Sequence, residues 1–346
     1  MNALPRILVA SLGGTIAMGS DTPAGVEHSL DAAELVRAVP RIEDVASIET
    51  AALRRIPGSH LTVADIAEVA QRIAERFSAG VAGVVVTQGT DTIEETAFLL
   101  ELLGAAHPGP VVVTGAMRNP TVAGADGPAN LLAAITVAAS REASGCGVLV
   151  VMNDEIHAAR YVAKRHTSST AAFASNPLVG WLSEGRPVFV ARPTPLPQSI
   201  ARPRSAAFLA SLASPDDCAV ALVRVWLGDD GRWVPAIRTL GYAGLVVEGS
   251  GGGHVNAPVA PLLEELARHI PVVIASRTGG GSTLTATYAF VGGESDLRRR
   301  GLLSAGWLAG CKARLLLHLL VREGASRAEL CEAFSAFLPT GTSACA

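Results

Sequence analysis

Lysine is nearly missing from this chain. Of its 28 basic residues only Lys164 and Lys312 are lysine, and 28 minus 2 leaves 26 arginines. A guanidinium stays charged, whereas an ammonium titrates when buried and can relay a proton, so two retained lysines invite a functional reading. Lys312, just before Leu315-Leu316-Leu317, reads as a helix residue with its stem packed on the core. An excess of positive charge is also lacking. Twenty-eight basic and 31 acidic residues leave a net charge of −3, which argues against nucleic acid or a membrane surface as a partner. No apolar run reaches the ~18 residues of a spanning helix. Met1–Arg6 leads directly into a strand pattern without the regions of a signal peptide, so a cytoplasmic location is expected. Cysteine is sparse. The five (Cys146, Cys218, Cys311, Cys331, Cys345) include no C-x-x-C and no Cys/His zinc spacing, and they read as small buried or incidental thiols in a reducing compartment. The eight histidines form neither H-x-x-x-H nor H-E-x-x-H, His157 and His166 stand apart from other ligand types, and no metal is expected.

What the chain has is two hydroxyl-rich loops at the ends of apolar strands. Ser11-Leu12-Gly13-Gly14-Thr15 follows Ile7-Leu8-Val9-Ala10, and Thr87-Gln88-Gly89-Thr90-Asp91-Thr92 follows Val84-Val85-Val86. In an open parallel sheet both face the crevice at the carboxyl ends of the strands, where ligands bind. Threonines with a carboxylate beside one of them suggest nucleophilic chemistry. Glycine after a strand is also ordinary turn chemistry, and Thr92 with Glu95 has capping-box spacing. Capping, however, requires neither Thr90 nor Asp91.

Strand patterns at Ile7–Ala10, Val81–Thr87, Val111–Thr114 and Val148–Met152 alternate with helical patterns at Asp31–Val39, Val63–Phe77, Thr92–Leu103 and Gly127–Ala139. That alternation predicts βαβ units around a mostly parallel sheet. Five prolines between Arg186 and Arg204 read as a semi-rigid linker. Strands at Ala219–Val225, Gly244–Val247 and Pro271–Ala275 follow, with helices at Val259–His269, Gly310–Val321 and Arg327–Phe337. The expected fold class is α/β, with two domains built on mostly parallel, flavodoxin- or Rossmann-like sheets. The larger amino-terminal domain takes residues 1–190, a linker 191–215, and the smaller carboxy-terminal domain 216–346. Gly249–His254 follows a strand but departs from G-x-G-x-x-G, so it reads as a close-approach loop rather than a dinucleotide site.

Taken together these motifs resemble the bacterial-type L-asparaginase/glutaminase (asparaginase 1) family over nearly the whole chain. The resemblance rests on Leu12–Ala17, Thr87–Ala97, Gly115–Arg118, Ala125–Leu131, Val151–Asp154, Arg160–Lys164 and Lys312–Leu317. It implies cofactor-free amide hydrolysis of a free amino acid through an acyl-enzyme, in a homotetramer built as a dimer of dimers. Each site would lie between the amino-terminal domain of one subunit and the smaller domain of its partner. Thr15 would be the nucleophile, and Thr90, Asp91 and Lys164 would handle protons and water. The Thr90 N–H is a candidate oxyanion donor. Ser59 and His60 would receive the substrate carboxylate, Asp91 its ammonium, and Gly89 and Ala116 would also line the substrate.

The chain departs from the family's pattern in three places. No tyrosine lies between Met18 and Val39 to activate Thr15, and His28, the substitute within reach, reads as solvated. His60 stands where glutamine is usual, and Gly252 where a polar residue is common. Tyr288 and Glu294 both remain open as the acidic-loop contact that relatives contribute to a partner's site. Two other functions compete. A non-catalytic amino-acid sensor would not need the proton-handling group. The asparaginase-like subunit of a tRNA-dependent amidotransferase would be expected to carry a further domain before the motif that begins at residue 12.

Overall fold

Valine-rich runs without polar alternation become strands buried on both faces. The computed structural model describes residues 3–22, 25–28, 32–214 and 218–345, with the backbone alone for 18–22 and 25–28. It divides into two units, Met1–Ser214 and Pro215–Ala346.

The larger unit contains β1 (Arg6–Ser11), β2 (Met18–Thr22), β3 (Gly25–His28), β4 (Ser47–Ala52), β5 (Gly83–Thr87), β6 (Val111–Thr114), β7 (Val148–Met152), β8 (Glu155–Ala158), β9 (Ala163–Lys164), β10 (Phe173–Ala174), β11 (Gly180–Ser183) and β12 (Arg186–Phe189). Its helices are α1 (Ala32–Arg37), α2 (Val63–Ser78), α3 (Ile93–Leu102), α4 (Gly127–Ala139) and α5 (Ala206–Ser211). The main sheet has the order β4-β1-β5-β6-β7-β8-β11-β12. The first five strands are parallel and the last three continue it antiparallel. Side chains on one face (Ile7, Val9, Val85, Val112, Leu149, Val151) pack with Leu35 of α1 and Leu131 and Ile135 of α4. Helix α3 packs on β6 and β7, and α2 packs on α3 and α5. Helix α2 opens with a capping box, Thr62 with Asp65.

Within the five parallel strands the chain runs from β1 outward to β4, then returns to β5 on the other flank of β1. This is the switch point of a doubly wound sheet, where loops at the carboxyl ends diverge and leave a crevice. The loops ending in Thr15 and Thr90 leave these two strands.

Two local expectations are corrected. The Thr92–Glu95 capping box does not form, because Thr92 makes no cap hydrogen bond and its hydroxyl is committed elsewhere. Arg186–Phe189, read as the start of a linker, is strand β12. It lies at the edge of the sheet, where Pro187 removes no needed ladder donor. Residues 191–214 run along the larger unit, with Ile200 buried and the Arg202 N–H on the Leu102 carbonyl.

The smaller unit holds the four-stranded parallel sheet β13 (Val220–Arg224), β14 (Gly244–Gly249), β15 (Val272–Ser276) and β16 (Leu303–Ser304), in that order. One face packs on α6 (Val234–Thr239) and α7 (Val259–Ala267) through Leu245, Val247, Val272 and Ile274. Helix α8 (Glu294–Arg299) precedes β16, and α9 (Gly310–Arg322) lies along β13, β14 and β15. Lys312 of α9 is 1 % exposed, with its stem in the core as expected. The Gly249–His254 loop is a closed turn, Ser250 N–H to His254 carbonyl at 2.8 Å.

The reading of every cysteine as a free thiol is also corrected. Cys331 on α10 (Arg327–Ser335) and Cys345 form a disulfide with Cα atoms 5.6 Å apart, within the usual span. The tail is brought there by Ala344, whose N–H meets Ser335 Oγ at 2.9 Å and whose carbonyl accepts from Ser304 at 3.1 Å. Cys146 is a buried free thiol.

Candidate active site

Three glycine turns meet at the carboxyl ends of β1 and β5. Gly14, at φ +86°, is in a conformation that glycine alone adopts without strain, and a Cβ there would overlap the backbone nitrogen of Gly89. Gly58 and Gly89 face each other as closely: a Cβ on Gly58 would lie 2.6 Å from the Gly89 carbonyl oxygen. Backbone therefore touches backbone, and Thr15, Ser59 and Thr90 each directly follow one of these three glycines.

Hydrogen bonds lock the turns together. The Leu12 N–H donates to the Thr87 carbonyl at 2.8 Å, and the Ile56 N–H to the Leu12 carbonyl at 3.2 Å. The Thr92 hydroxyl donates to the Gly58 carbonyl at 2.9 Å, which explains why it does not cap α3. Gln88 Nε2 donates to the Gly89 carbonyl and to Thr92 Oγ1, each at 3.2 Å.

The expected site residues fall as follows. Thr15 opens a short 3-10 turn and is half-buried, with the Ala17 N–H returning to the Gly14 carbonyl at 2.9 Å. Thr90 is buried, and Asp91 beside it is exposed. Lys164, on β9, donates from Nζ to Thr90 Oγ1 at 2.9 Å and to Asp91 Oδ1 at 2.7 Å. Residues more than 70 apart in sequence thus form one hydroxyl–ammonium–carboxylate group. Its lysine side chain is only 15 % exposed, its aspartate 65 %. The carboxylate is open to a ligand on its solvent side. Ser59 and His60 are exposed on the turn that rests on Gly89. Ala116 is buried in the loop after β6, beside the loop after β5: the Gln88 N–H reaches the Thr114 carbonyl at 3.1 Å. The side chain of His28 lies outside the described residues.

Sequence reasoning missed three contributors. Glu94, in the first turn of α3, accepts the Lys164 backbone N–H at 3.2 Å and anchors the strand that carries the ammonium. A carboxylate in a first helical turn reads as a partner of the helix dipole, which hides such a role. Asp126 and Asn130 brace the loop containing Ala116; the sequence shows them as part of the Ala125–Leu131 motif but not what they hold.

In the smaller unit, Glu294 is spent within its own fold. Its carboxylate accepts the Thr287 and Tyr288 N–H groups, and His254 Nε2 lies 3.0 Å from Oε2. Burial pushes its pKa up, yet these hydrogen bonds, that of Tyr288 foremost, hold it below the usual glutamate value. Tyr288 is half exposed. Among the described residues no group of three or more His, Cys, Asp or Glu could hold a metal ion, and no helix is long and apolar enough to cross a membrane.

Residues 6–193 match the family model "Asparaginase, N-terminal", and residues 219–334 match "Glutaminase/Asparaginase C-terminal domain". The chain is 35 % identical to a probable L-asparaginase of Deinococcus radiodurans over 96 % of its own length and 98 % of the relative's. It is 32 % identical to a probable periplasmic L-asparaginase of Haemophilus influenzae, covering 92 % of this chain and 89 % of the other. The crystal structure of a probable cytoplasmic L-asparaginase from Campylobacter jejuni superposes with a TM-score of 0.82 at 33 % identity, over 95 % of this chain and 99 % of that one.

Proposed function

The chain belongs to the asparaginase family, and from that premise we propose that it hydrolyses L-asparagine to L-aspartate and ammonia through an acyl-enzyme on Thr15. The observation that carries this reading is the packing of the Gly14 turn, which precedes Thr15, against the Gly89 turn, which precedes the Thr90–Lys164–Asp91 group.

Thr15 Oγ attacks the side-chain amide carbon. The oxygen charge that develops is met by the Thr90 N–H, a contact whose strength grows as the carbonyl becomes an oxyanion. The proton given up by the Thr15 hydroxyl passes to the amide nitrogen, the C–N bond breaks, and the nitrogen leaves as ammonia. In the second half, water ordered by Thr90 and Lys164 attacks the ester; its proton passes to Thr15 Oγ, which leaves as the free hydroxyl. The Lys164 ammonium, held by Asp91, donates to the Thr90 hydroxyl and so fixes its orientation. The exposed side of Asp91 takes the substrate ammonium and Ser59, with His60 beside it, the α-carboxylate. Both charges need partners because burying either alone is costly.

The experiment is ammonia release by the purified protein with L-asparagine and, separately, L-glutamine. Thr15→Ala should fall below about one-thousandth of the wild-type rate, and Lys164→Met should lose roughly 10²–10⁴-fold in kcat, each with an unchanged circular dichroism spectrum. Full activity in either folded variant sinks the assigned mechanism, and a wild type that binds asparagine without releasing ammonia makes it a sensor. The reading includes a homotetramer whose sites are completed by partner subunits, as the resemblance implies. Sedimentation of the active protein as a monomer would refute it. A cytoplasmic location is supported by the Campylobacter neighbour, whereas the Cys331–Cys345 disulfide fits an oxidising compartment. Mass spectrometry of thiol-blocked protein from its own cells decides: an intact disulfide there argues against the cytoplasm.

A further inference from the structure

Asp126 occupies the N-cap of α4, where an aspartate ordinarily turns its carboxylate onto the helix's own first amides. It makes no such bond. Both oxygens reach across to the loop after β6 instead: Oδ2 accepts the Met117 N–H at 3.0 Å and Oδ1 the Arg118 N–H at 2.8 Å. Asn130, one turn along the same helix and 2 % exposed, completes the brace. Its Nδ2 donates to the Gly115 carbonyl at 3.0 Å and to Asp126 Oδ2 at 3.1 Å, and its Oδ1 accepts the Asn153 N–H at 3.0 Å.

The loop held in this way abuts the reacting groups. A Cβ on Gly115 would lie 2.6 Å from the Gln88 carbonyl oxygen and 3.2 Å from Thr90 Cγ2. A Cβ on Gly127 would lie 3.0 Å from Ile16, the residue after Thr15, and 3.5 Å from Ala116 Cβ. The loop is thus clamped between Thr90 on one side and the Asp126–Asn130 pair on the other. A helix cap has been given up to hold it there.

We propose that Asp126 and Asn130 are positioning residues of this site, which fix the Gly115–Arg118 wall against Thr90 and so set the room available to the substrate's side chain. The proposal rests on the asparagine-hydrolysis reading. It places specificity in two residues whose hydrogen bonds hold the wall itself.

The test is Asp126→Asn. The amide keeps the shape but presents one acceptor and one amine to two N–H donors, so one of the two bonds to the loop is lost whichever way the amide turns. We expect KM for L-asparagine to rise about tenfold, the loss of one charge-assisted bond, with kcat within about threefold. The asparagine-to-glutamine ratio of kcat/KM should fall, because a looser wall penalises an extra methylene less. Amide hydrogen exchange at Met117 and Arg118 should accelerate, and this readout does not depend on turnover. Asp126→Ala, which leaves both amides to water, should show the same split. Faster exchange with unchanged KM and unchanged selectivity would overturn the proposal, since the wall would have loosened without consequence. Unchanged exchange would overturn it too, because the carboxylate would not be holding the loop. A wild type that releases no ammonia sinks the hydrolysis reading and the specificity role with it, while exchange still reports whether Asp126 holds the loop.

Discussion

At the scale of single residues the chain shows how context sets the value of an ionisable group. His157 on β8 is fully buried, with Nδ1 2.8 Å from Ser175 Oγ. Burial pushes its pKa down from 6.5 to about 4, although the Glu155 carboxylate 3.5 Å from Nε2 favours the cation. Between those values the unfolded chain binds a proton that the folded protein refuses. Stability attributable to His157 is therefore complete above about pH 6.5 and is lost as pH falls toward 4, in all ~3 kcal/mol. Denaturant midpoints measured between pH 7 and 4 should fall, and His157→Gln should flatten that slope. An equal slope in the variant would assign it to other groups. Of the proposed site residues, Thr15, Thr90, Asp91 and Lys164 stand out in the sequence because their types are rare or reactive where they stand. Asp126 and Asn130 stood in the Ala125–Leu131 motif, but their role was not legible, since an aspartate before a helix is ordinary and only its orientation is unusual.

At the scale of elements, the junction of turns is the most constrained feature. Gly14→Ala adds a Cβ at positive φ and drives it into the Gly89 backbone. The left-handed conformation costs about 1–2 kcal/mol and the overpacking about 1–3 kcal/mol. The variant should lose roughly 2–5 kcal/mol in denaturant unfolding and most of its activity. Wild-type stability in Gly14→Ala would mean that the turns separate freely. The central strands β1, β5, β6 and β7 were readable because burial on both faces leaves uninterrupted apolar runs. Strands β4 and β12 were not: they alternate between half-buried and exposed positions at the sheet edges, and backbone pairing rather than an apolar pattern recruits them.

At the scale of the whole molecule, two units each carry their own sheet and core, the sheet mixed in the larger unit and parallel in the smaller. The disulfide joins residues 14 apart at the end of the smaller one. Closing a loop of this length is worth about 3 kcal/mol, so Cys331→Ser or reduction should lower that unit's stability by about this amount, read by calorimetry with and without reductant. No shift would mean that the tail's hydrogen bonds to Ser335 and Ser304 hold it unaided. The amino-acid sequence by itself determined the α/β class, the central strands and helices and the two hydroxyl loops, because these follow from local periodicity and turn chemistry. Only the tertiary structure decided which strand ends converge, that Lys164 reaches Thr90 and Asp91, that Asp126 serves a loop rather than its helix, and that Cys331 meets Cys345. Each of these depends on strand order and side-chain direction, which bring together residues whose sequence separation carries no signal.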